Sequence, residues 1–269
     1  MISFKGAALP LTQSGLSNAC SRLGVGAAEI WALVFTETDP PYGGFMADTR
    51  PQILYEQHIF HRLTGGQFAA SNPDISSSHA GNYGAAGAHQ YDRLSAAAAL
   101  NETAALQSAS WGIGQTLGEG YKMCGFASPQ DMVARLIHSE DEQLLAVVQE
   151  ILATHNASSL ASHDWRNFAR IYNGPAYARN QYDAHLASWF AKFAGGGLPD
   201  LRIRTAQIYL MYLGFEPSLI DGLWGTRSRS AMNQFQTKAG ISQTDDLDDN
   251  TYEKIIAAGQ LLTTGASSS

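Results

Sequence analysis

The chain has 269 residues, 45% of them hydrophobic, and a formal net charge of −7. This length allows one large domain or two domains of unequal size, and the apolar fraction excludes a wholly disordered chain. Because an acidic protein lacks the attraction to phosphates that drives non-specific nucleic-acid binding, we predict no nucleic-acid partner.

The N-terminus, the cysteines and the histidines narrow the chemistry further. Residues 1–16 have no apolar stretch of signal-peptide length, and no run approaches the ~18 apolar residues of a membrane-spanning helix. We therefore expect synthesis in the cytoplasm and no insertion into a membrane. Cys20 and Cys124 could form one disulfide, although two lone cysteines are more often reduced and buried. No CxxC or HExxH spacing is present, so we predict neither a metal nor another cofactor.

The first clear helix is predicted over residues 27–37. Apolar side chains recur at helical spacing from Ile30 to Val34, and Glu37 continues the same face. Pro40 and Pro41 then end the helix. Because alanine-rich runs are common and alternating strand patterns are few, the chain is predicted to be mainly α-helical.

Further helix signals follow along the chain. Asn101 is predicted as a helix N-cap, and Ser128 before Pro129 as another. Apolar spacing predicts helices over about 144–152, 163–171 and 179–193. Residues 72–88, rich in Ser, Asn, Gly and Ala without periodicity, predict a long surface loop.

The clearest domain boundary lies at three consecutive glycines, Gly195–Gly197, followed by Pro199. This composition is typical of a flexible hinge. The predicted organisation is a first domain over 1–194, a linker over 195–200, a second domain over 201–262 and a disordered tail over 263–269.

Glu37 is the residue that most strongly suggests chemistry. It lies on the apolar face of the predicted helix and at its C-terminal end, where the helix dipole is negative. Both conditions raise the pKa of a carboxyl group, which can then stay protonated near neutral pH and donate a proton to a leaving oxygen. The alternative is that the helix frays and Glu37 is a solvated terminal residue.

Two other segments could complete a site. Residues 110–115 form a glycine-rich turn that ends in Gln115, whose amide can both donate and accept hydrogen bonds, as sugar hydroxyls and acetamides require. Tyr172 and Asn173 end a predicted helix before Gly174. Taken alone, each segment is more often simply a turn.

Together, and in this order, the three segments resemble the lysozyme-like superfamily, which includes goose-type lysozymes and lytic transglycosylases. The motifs that carry the resemblance are Glu37-Thr38, Gly112–Gln115 and Arg170–Gly174. Further stretches resemble the N-acetylmuramidase family common in phage endolysins, at 50–60, 63–66, 109–112 and 172–178. This similarity spans about 27–193. The chain departs from the family at Thr49, where a glycine is expected, and in the loop after Glu37.

The resemblance implies a lysozyme-like α-helical catalytic domain that hydrolyses peptidoglycan, with Glu37 as general acid. A glycosidase usually needs a second carboxylate ~5 to 9.5 Å from the acid. Glu56 and Asp48 are the preferred candidates, followed by Asp39; Glu56 could instead pair with a neighbouring cation or with His58. A water guided by Gln115 and Tyr172, or assistance by the substrate's own acetamide, are alternatives.

Five residues are predicted to bind the glycan: Gln115, Tyr172, Asn173, Tyr121 and His58. Tyr121 and Trp111 could stack on sugar rings, but aromatic residues beside an alanine-rich helix more often belong to the core. His58 could equally make hydrogen bonds within the domain.

Residues 201–258 resemble the type 1 peptidoglycan-binding module, a small three-helix domain. The matching positions include Ala206-Gln207, Leu213–Phe215, Ile220–Gly225, Phe235-Gln236 and Leu247–Thr251. The resemblance implies wall contacts near Asp221, Gly222, Trp224 and Ser228, and a tether that raises the local substrate concentration. A helical lid or a dimerisation element is the alternative.

The predicted protein is therefore a monomeric endolysin-type muramidase whose partner is peptidoglycan. It would be made in the host cytoplasm and act on the periplasmic wall after release. A lytic transglycosylase and a non-catalytic wall-binding protein are the alternatives. A phage endolysin and a secreted bacterial effector both fit the sequence.

Overall fold

The computed structural model describes residues 3–38 and 40–265, and these residues are mainly α-helical. The N-terminal domain contains helices α1 (Gln13–Leu23), α2 (Ala27–Glu37), α3 (Gln57–Leu63), α4 (Ala88–Gln107), α5 (Pro129–Leu136), α6 (Glu140–Ala153), α7 (Ala157–Ala161), α8 (Trp165–Tyr172) and α9 (Tyr182–Ala194). The C-terminal domain contains α10 (Leu201–Tyr212), α11 (Thr226–Lys238) and α12 (Asp249–Gly265). A mainly helical chain was predicted from composition, and this prediction is confirmed.

Helix α2 lies at the centre of the N-terminal domain. Its residues Ile30 to Phe35 are all buried, so apolar side chains surround most of the helix rather than one face. It packs chiefly against α9, and α6 contributes Val147 and Ile151 to the same core. The helix ends at Glu37, the boundary that the spacing of apolar residues predicted. This burial anchors α2 in the core and leaves Glu37 half-buried at its end.

A small antiparallel sheet carries the turn at 112–114, which packs against α2. Strands β1 (Ile53–Tyr55), β2 (Ala109–Trp111) and β3 (Thr116–Leu117) pair in the order β1-β2-β3. The register aligns Ile53 with Trp111 and Ser110 with Leu117. The turn between β2 and β3 is the glycine-rich segment singled out in the sequence, so the sheet holds that turn in place.

The predicted helix caps are confirmed. Ser128 Oγ accepts the backbone N–H of Asp131 at 3.0 Å, with Pro129 in the first turn. Asn101 lies at a break inside α4, where its φ is −156°, and its Oδ1 accepts the N–H of Ala104 at 3.0 Å. Asn101 therefore starts a second helical segment. The predicted loop over 72–88 is irregular up to the start of α4.

The C-terminal domain differs from the expectation at its end. Helix α12 continues to Gly265, so the first three residues of the predicted disordered tail are helical. The reason is local: Thr263 is buried, at 1% exposure, and its hydroxyl donates to the carbonyl of Gln260. The remaining residues of that tail lie outside the described part of the chain.

Two further features of the described residues are the state of the cysteines and the hydropathy of the helices. Both thiols are free, Cys20 half-buried and Cys124 buried. Within residues 3–38 and 40–265, no single helix is both long and apolar enough to cross a membrane. Helices α1 and α2 pass that test only as a pair, bent by 105°.

The two domains are in direct contact. Ala8 and Phe45 of the N-terminal domain are part of the buried cluster formed by the C-terminal helices. A buried ion pair joins Glu140, at the start of α6, to Arg204 of α10. The glycine-rich segment that predicted a flexible hinge therefore connects two domains that share a core.

Candidate active site

Glu37 is the last residue of α2, and its carboxyl group lies among tyrosines. The hydroxyl of Tyr182, at the start of α9, donates a hydrogen bond to Glu37 Oε1. Burial raises the pKa of Glu37 to about 8, against the lowering effect of the Tyr182 hydrogen bond and with a further increase from the charge of Glu150. The carboxyl group is therefore protonated at neutral pH, the condition for a general acid.

Glu150 is a second, half-buried glutamate in this region. It lies in the last turn of α6, and burial raises its pKa to about 7. Its charge raises the pKa values of Glu37, Tyr172 and Tyr182, which places all four side chains around one region. Glu150 was missed in the sequence because its neighbours in α6 have the spacing of an ordinary core helix.

Tyr172 connects α8 to the glycine-rich turn. Its hydroxyl donates to the carbonyl oxygen of Gly114 at 3.1 Å, and the charge of Glu37 acts on it. A Cβ atom at Gly114 would overlap the side chain of Val147, so only glycine fits this close approach. The three segments singled out in the sequence, at 37, 112–115 and 172–173, thus meet in the structure.

Gln115 adopts a left-handed conformation, with φ of 48°. Its amide nitrogen donates to the carbonyl oxygen of Gly112 at 2.9 Å and lies 3.4 Å from that of Gln52. The side chain therefore braces its own turn with its donor group, and its carbonyl oxygen is the group left for a ligand. Asn173 caps α8 and is exposed.

Glu56 and His58 lie in a different group of side chains. Glu56 Oε2 and His58 Nδ1 are 3.3 Å apart without hydrogen-bond geometry. Burial raises the pKa of Glu56, while His58, Tyr83 and Arg93 lower it. The groups that act on Glu56 are therefore not those that act on Glu37, and the contact with His58 is the structural pairing foreseen as an alternative.

Asp48 and Tyr121 also have local explanations. Asp48 forms an ion pair with Arg50 at 2.6 Å and accepts its backbone N–H at 3.1 Å, the geometry of a turn. Tyr121 is partly buried against the second core cluster of the domain. Trp111 is 1% exposed and belongs to that core. The candidate Asp39 lies outside the described residues.

Three of the four residues singled out in the C-terminal domain bond to Gln207. The Gln207 amide donates to Asp221 Oδ1 and Ser228 Oγ, both at 3.0 Å, and accepts the N–H of Gly222 at 2.9 Å. The Trp224 indole donates to the carbonyl oxygen of Asp245 at 3.0 Å. Asp221, Gly222 and Ser228 thus hold the loop between α10 and α11 through Gln207, and Trp224 connects that loop to the one before α12.

A groove of about 650 Å³ lies beside α11. It is lined by Phe215, Thr226, Arg229, Ser230, Asn233, Gln234, Thr237, Lys238 and Gln243. Two cations, several amides and hydroxyls and one aromatic ring make it suited to a polar ligand that carries carboxylates. The sequence did not indicate this groove, because the residues on this face of α11 have the polar pattern of an ordinary solvent-exposed helix surface. Across the described ranges, no cluster of three His, Cys, Asp or Glu side chains could hold a metal ion.

Comparisons with known proteins agree with this arrangement. Residues 26–194 match the family model described as N-acetylmuramidase, and residues 200–255 match a putative peptidoglycan binding domain. The crystal structure of a Burkholderia AP3 phage endolysin is similar, with 38% sequence identity and a TM-score of 0.62 over 68% of this chain and 70% of that chain. No curated protein matches the chain.

Proposed function

Because this chain belongs to the N-acetylmuramidase family and carries a peptidoglycan-binding domain, it is an endolysin-type peptidoglycan hydrolase, and we propose that Glu37 is its general acid. The bond cleaved is the β-1,4 linkage between N-acetylmuramic acid and N-acetylglucosamine. The observation that carries the proposal is the buried carboxyl group of Glu37, protonated at neutral pH, where the three sequence motifs meet.

The proposed mechanism begins with proton transfer from Glu37 to the glycosidic oxygen. As that oxygen leaves with the bonding electron pair, positive charge develops at the anomeric carbon. A water molecule adds to this carbon and gives up a proton to a second carboxylate, and Glu37 regains a proton from solvent before the next turnover. The Tyr182 hydroxyl, bonded to Glu37, orients the carboxyl group during both steps.

A second carboxylate would accept the proton from the attacking water and stabilise the positive charge. We assign this role to Glu150, because its charge acts on Glu37 and on both tyrosines. Glu56 and Asp48 stay as predictions from the sequence, as do Gln115 and Tyr172 as guides for the water. We propose that the exposed Asn173 and the carbonyl oxygen of Gln115 bind sugar acetamides or hydroxyls.

Wall attachment is assigned to the groove beside α11. Arg229 and Lys238 give this acidic protein a local positive surface for the carboxylates of peptide stems, which its net charge of −7 does not supply. Asp221 and Ser228 contribute by holding the loop through Gln207. We propose that the protein acts as a monomer and reaches the periplasmic wall after release from the cytoplasm.

The test uses purified sacculi as substrate and mass spectrometry of the soluble products. Hydrolysis leaves a reducing end, whereas a transglycosylase would leave an anhydro end that lacks one water. Glu37→Gln should lower the rate at least ~100-fold, the contribution typical of a general acid. Glu29→Gln is the matched control, because it changes a carboxyl at the other end of α2 that bonds to His163.

Anhydro products from the native protein would overturn the choice of reaction. Clearing of sacculi by Glu37→Gln at the native rate would overturn the choice of acid. Binding of sacculi without any product would favour a wall-binding protein on this scaffold.

A further inference from the structure

We infer that the C-terminal domain positions the loop that follows Glu37, with Arg204 as the positioning residue, and so belongs to the catalytic apparatus as well as to the wall anchor. This inference rests on the proposed role of Glu37. It is carried by a set of contacts between the two domains that converge on one short loop, residues 40–45.

The strongest of these contacts is made by Arg204. Its guanidinium group is 1% exposed and forms two hydrogen bonds with the Glu140 carboxylate, which is 0% exposed. The same guanidinium donates to the carbonyl oxygen of Tyr42 at 3.0 Å. Glu140 in turn accepts the N–H of Gly44 at 2.8 Å. One ion pair across the domain boundary thus holds two positions of the loop.

A second contact reaches the same loop from the segment between α10 and α11. The N–H of Ile220 donates to the carbonyl oxygen of Pro41 at 2.8 Å, and the Ile220 side chain packs against Gly43. Phe45, the end of the loop, is 1% exposed inside the C-terminal core. The loop is therefore held along most of its length by groups from the other domain.

The loop transmits this position to both sides of the candidate site. The Tyr42 ring stacks on Phe35, with centroids 4.3 Å apart, and Phe35 precedes Glu37 in α2. On the other side, Gly44 O accepts the N–H of Gln52, and Gln52 O accepts the N–H of Gly112 in the glycine-rich turn, each at 2.8 Å. A shift of the loop would therefore move α2 and the turn relative to each other.

Tethering alone would not require these contacts. A domain that only anchors the enzyme to the wall raises the rate on insoluble sacculi and leaves the rate on a small soluble substrate unchanged. A domain that positions the active site changes the rate constant on both substrates. The two roles are therefore separated by cleavage of soluble, uncross-linked glycan strands.

The experiment compares Arg204→Lys and Ile220→Ala with Tyr212→Phe in the full chain. Lysine keeps the charge but lacks the planar guanidinium fork that bonds to both Glu140 oxygens and to Tyr42 O. Tyr212→Phe is the control at the same boundary, because it removes a buried hydrogen bond to Ala8 O without touching the loop. Circular dichroism melting establishes that each variant is folded at the assay temperature.

On soluble strands, Arg204→Lys should lower kcat about tenfold or more through misplacement of the reacting groups, with KM changed less than about twofold. The alkaline limit of kcat/KM, the pH above which it declines, should also fall by about half a pH unit, because a shift of α2 through the stacked Tyr42 and Phe35 rings loosens the packing around Glu37 that raises its pKa. Ile220→Ala should change both quantities in the same direction, and Tyr212→Phe should change neither.

Native kcat and a native alkaline limit in both loop variants would overturn the inference. So would losses that are equal in all three variants and follow their melting temperatures, since these would indicate general destabilisation. If Arg204→Lys does not fold, Ile220→Ala decides. Because the inactivity of Glu37→Gln is measured separately, failure of this inference leaves the assignment of the acid intact.

Discussion

Two buried glutamates, one in each of two regions of the N-terminal domain, show how surroundings decide the role of a carboxyl group. Glu140 is surrounded by donors: the Arg204 guanidinium and the N–H groups of Leu11 and Gly44. Glu37 has one hydroxyl donor, Tyr182, and the negative charge of Glu150 nearby.

This difference in hydrogen-bond donors and nearby charges determines which carboxyl group can take part in proton transfer. A carboxylate that accepts several hydrogen bonds, including those of a cation, is held in one ionic form and fixed in place. A buried carboxyl group without a cation holds its proton up to a higher pH and can release it to a substrate. Each of the following changes tests one side of this contrast.

Removing the charge of Glu140 should have the largest effect on stability. Glu140→Gln leaves the Arg204 guanidinium buried without its counter-charge, which should cost about 3 kcal/mol of unfolding free energy. For a protein of this size the melting temperature should fall by about 6 to 12 °C. Thermal unfolding at pH 7 measures this. Glu142→Gln, on the exposed side of the same helix, should stay within ~1 kcal/mol of the native protein because its ion pair with Arg135 is at the surface.

The same substitution at Glu37 should raise the free energy of unfolding instead of lowering it. The pKa of Glu37 is raised in the folded state, so its contribution to stability is complete below about pH 4.5 and is lost as the pH rises through about 8. Glu37→Gln removes this pH-dependent loss of stability. Relative to the native protein, it should gain on the order of 2 kcal/mol at pH 9 and little at pH 4.5. Urea unfolding at both values provides the comparison; a gain that is equal at the two would contradict a raised pKa.

Glu150 tests the influence of the second carboxylate on the first. Because its charge raises the pKa of Glu37, Glu150→Gln should move the alkaline limit of kcat/KM to lower pH. If Glu150 also assists the attacking water, kcat should fall about tenfold, equivalent to ~1.4 kcal/mol of the barrier. A pH–rate profile on soluble glycan strands measures both. An unchanged profile would remove Glu150 from the site and return attention to Glu56 and Asp48.

The smallest effect is expected in the groove beside α11. Arg229→Gln combined with Lys238→Gln should weaken binding to sacculi about three- to fivefold, in line with exposed charge interactions of less than ~1 kcal/mol. The loss should shrink at high salt. Arg227→Gln with Lys254→Gln changes the net charge equally on exposed positions outside the groove. Equal weakening by the two pairs would show that net charge, and not the groove, governs binding.

Local patterns predicted several residues that the structure brings together in the candidate site. The spacing of apolar residues in α2 and the end of that helix identified Glu37, and the glycine-rich turn and Tyr172 were found from their own residues. Such features depend on a few neighbours in the chain, so the sequence contains the information for them.

The rest depends on contacts between residues far apart in the chain. Tyr182 bonds to Glu37 across 145 positions. In the sequence, Glu140 follows the N-cap Ser139 and has the pattern of an ordinary acidic residue in a first helical turn. Arg204 has the pattern of a solvent-exposed residue of α10. Only the packing of α10 against the N-terminal domain makes them a buried pair, and no local pattern encodes that packing.

The ion pair between Glu140 and Arg204 has a consequence for engineering. Wall-binding modules are attractive units to exchange, because a new module could redirect a hydrolase to another bacterium. Here an exchanged module without an equivalent of Arg204 would leave a buried carboxylate facing an uncovered apolar surface that includes Phe45. A successful graft would therefore have to keep the contact face of α10 and replace only the groove side of the domain.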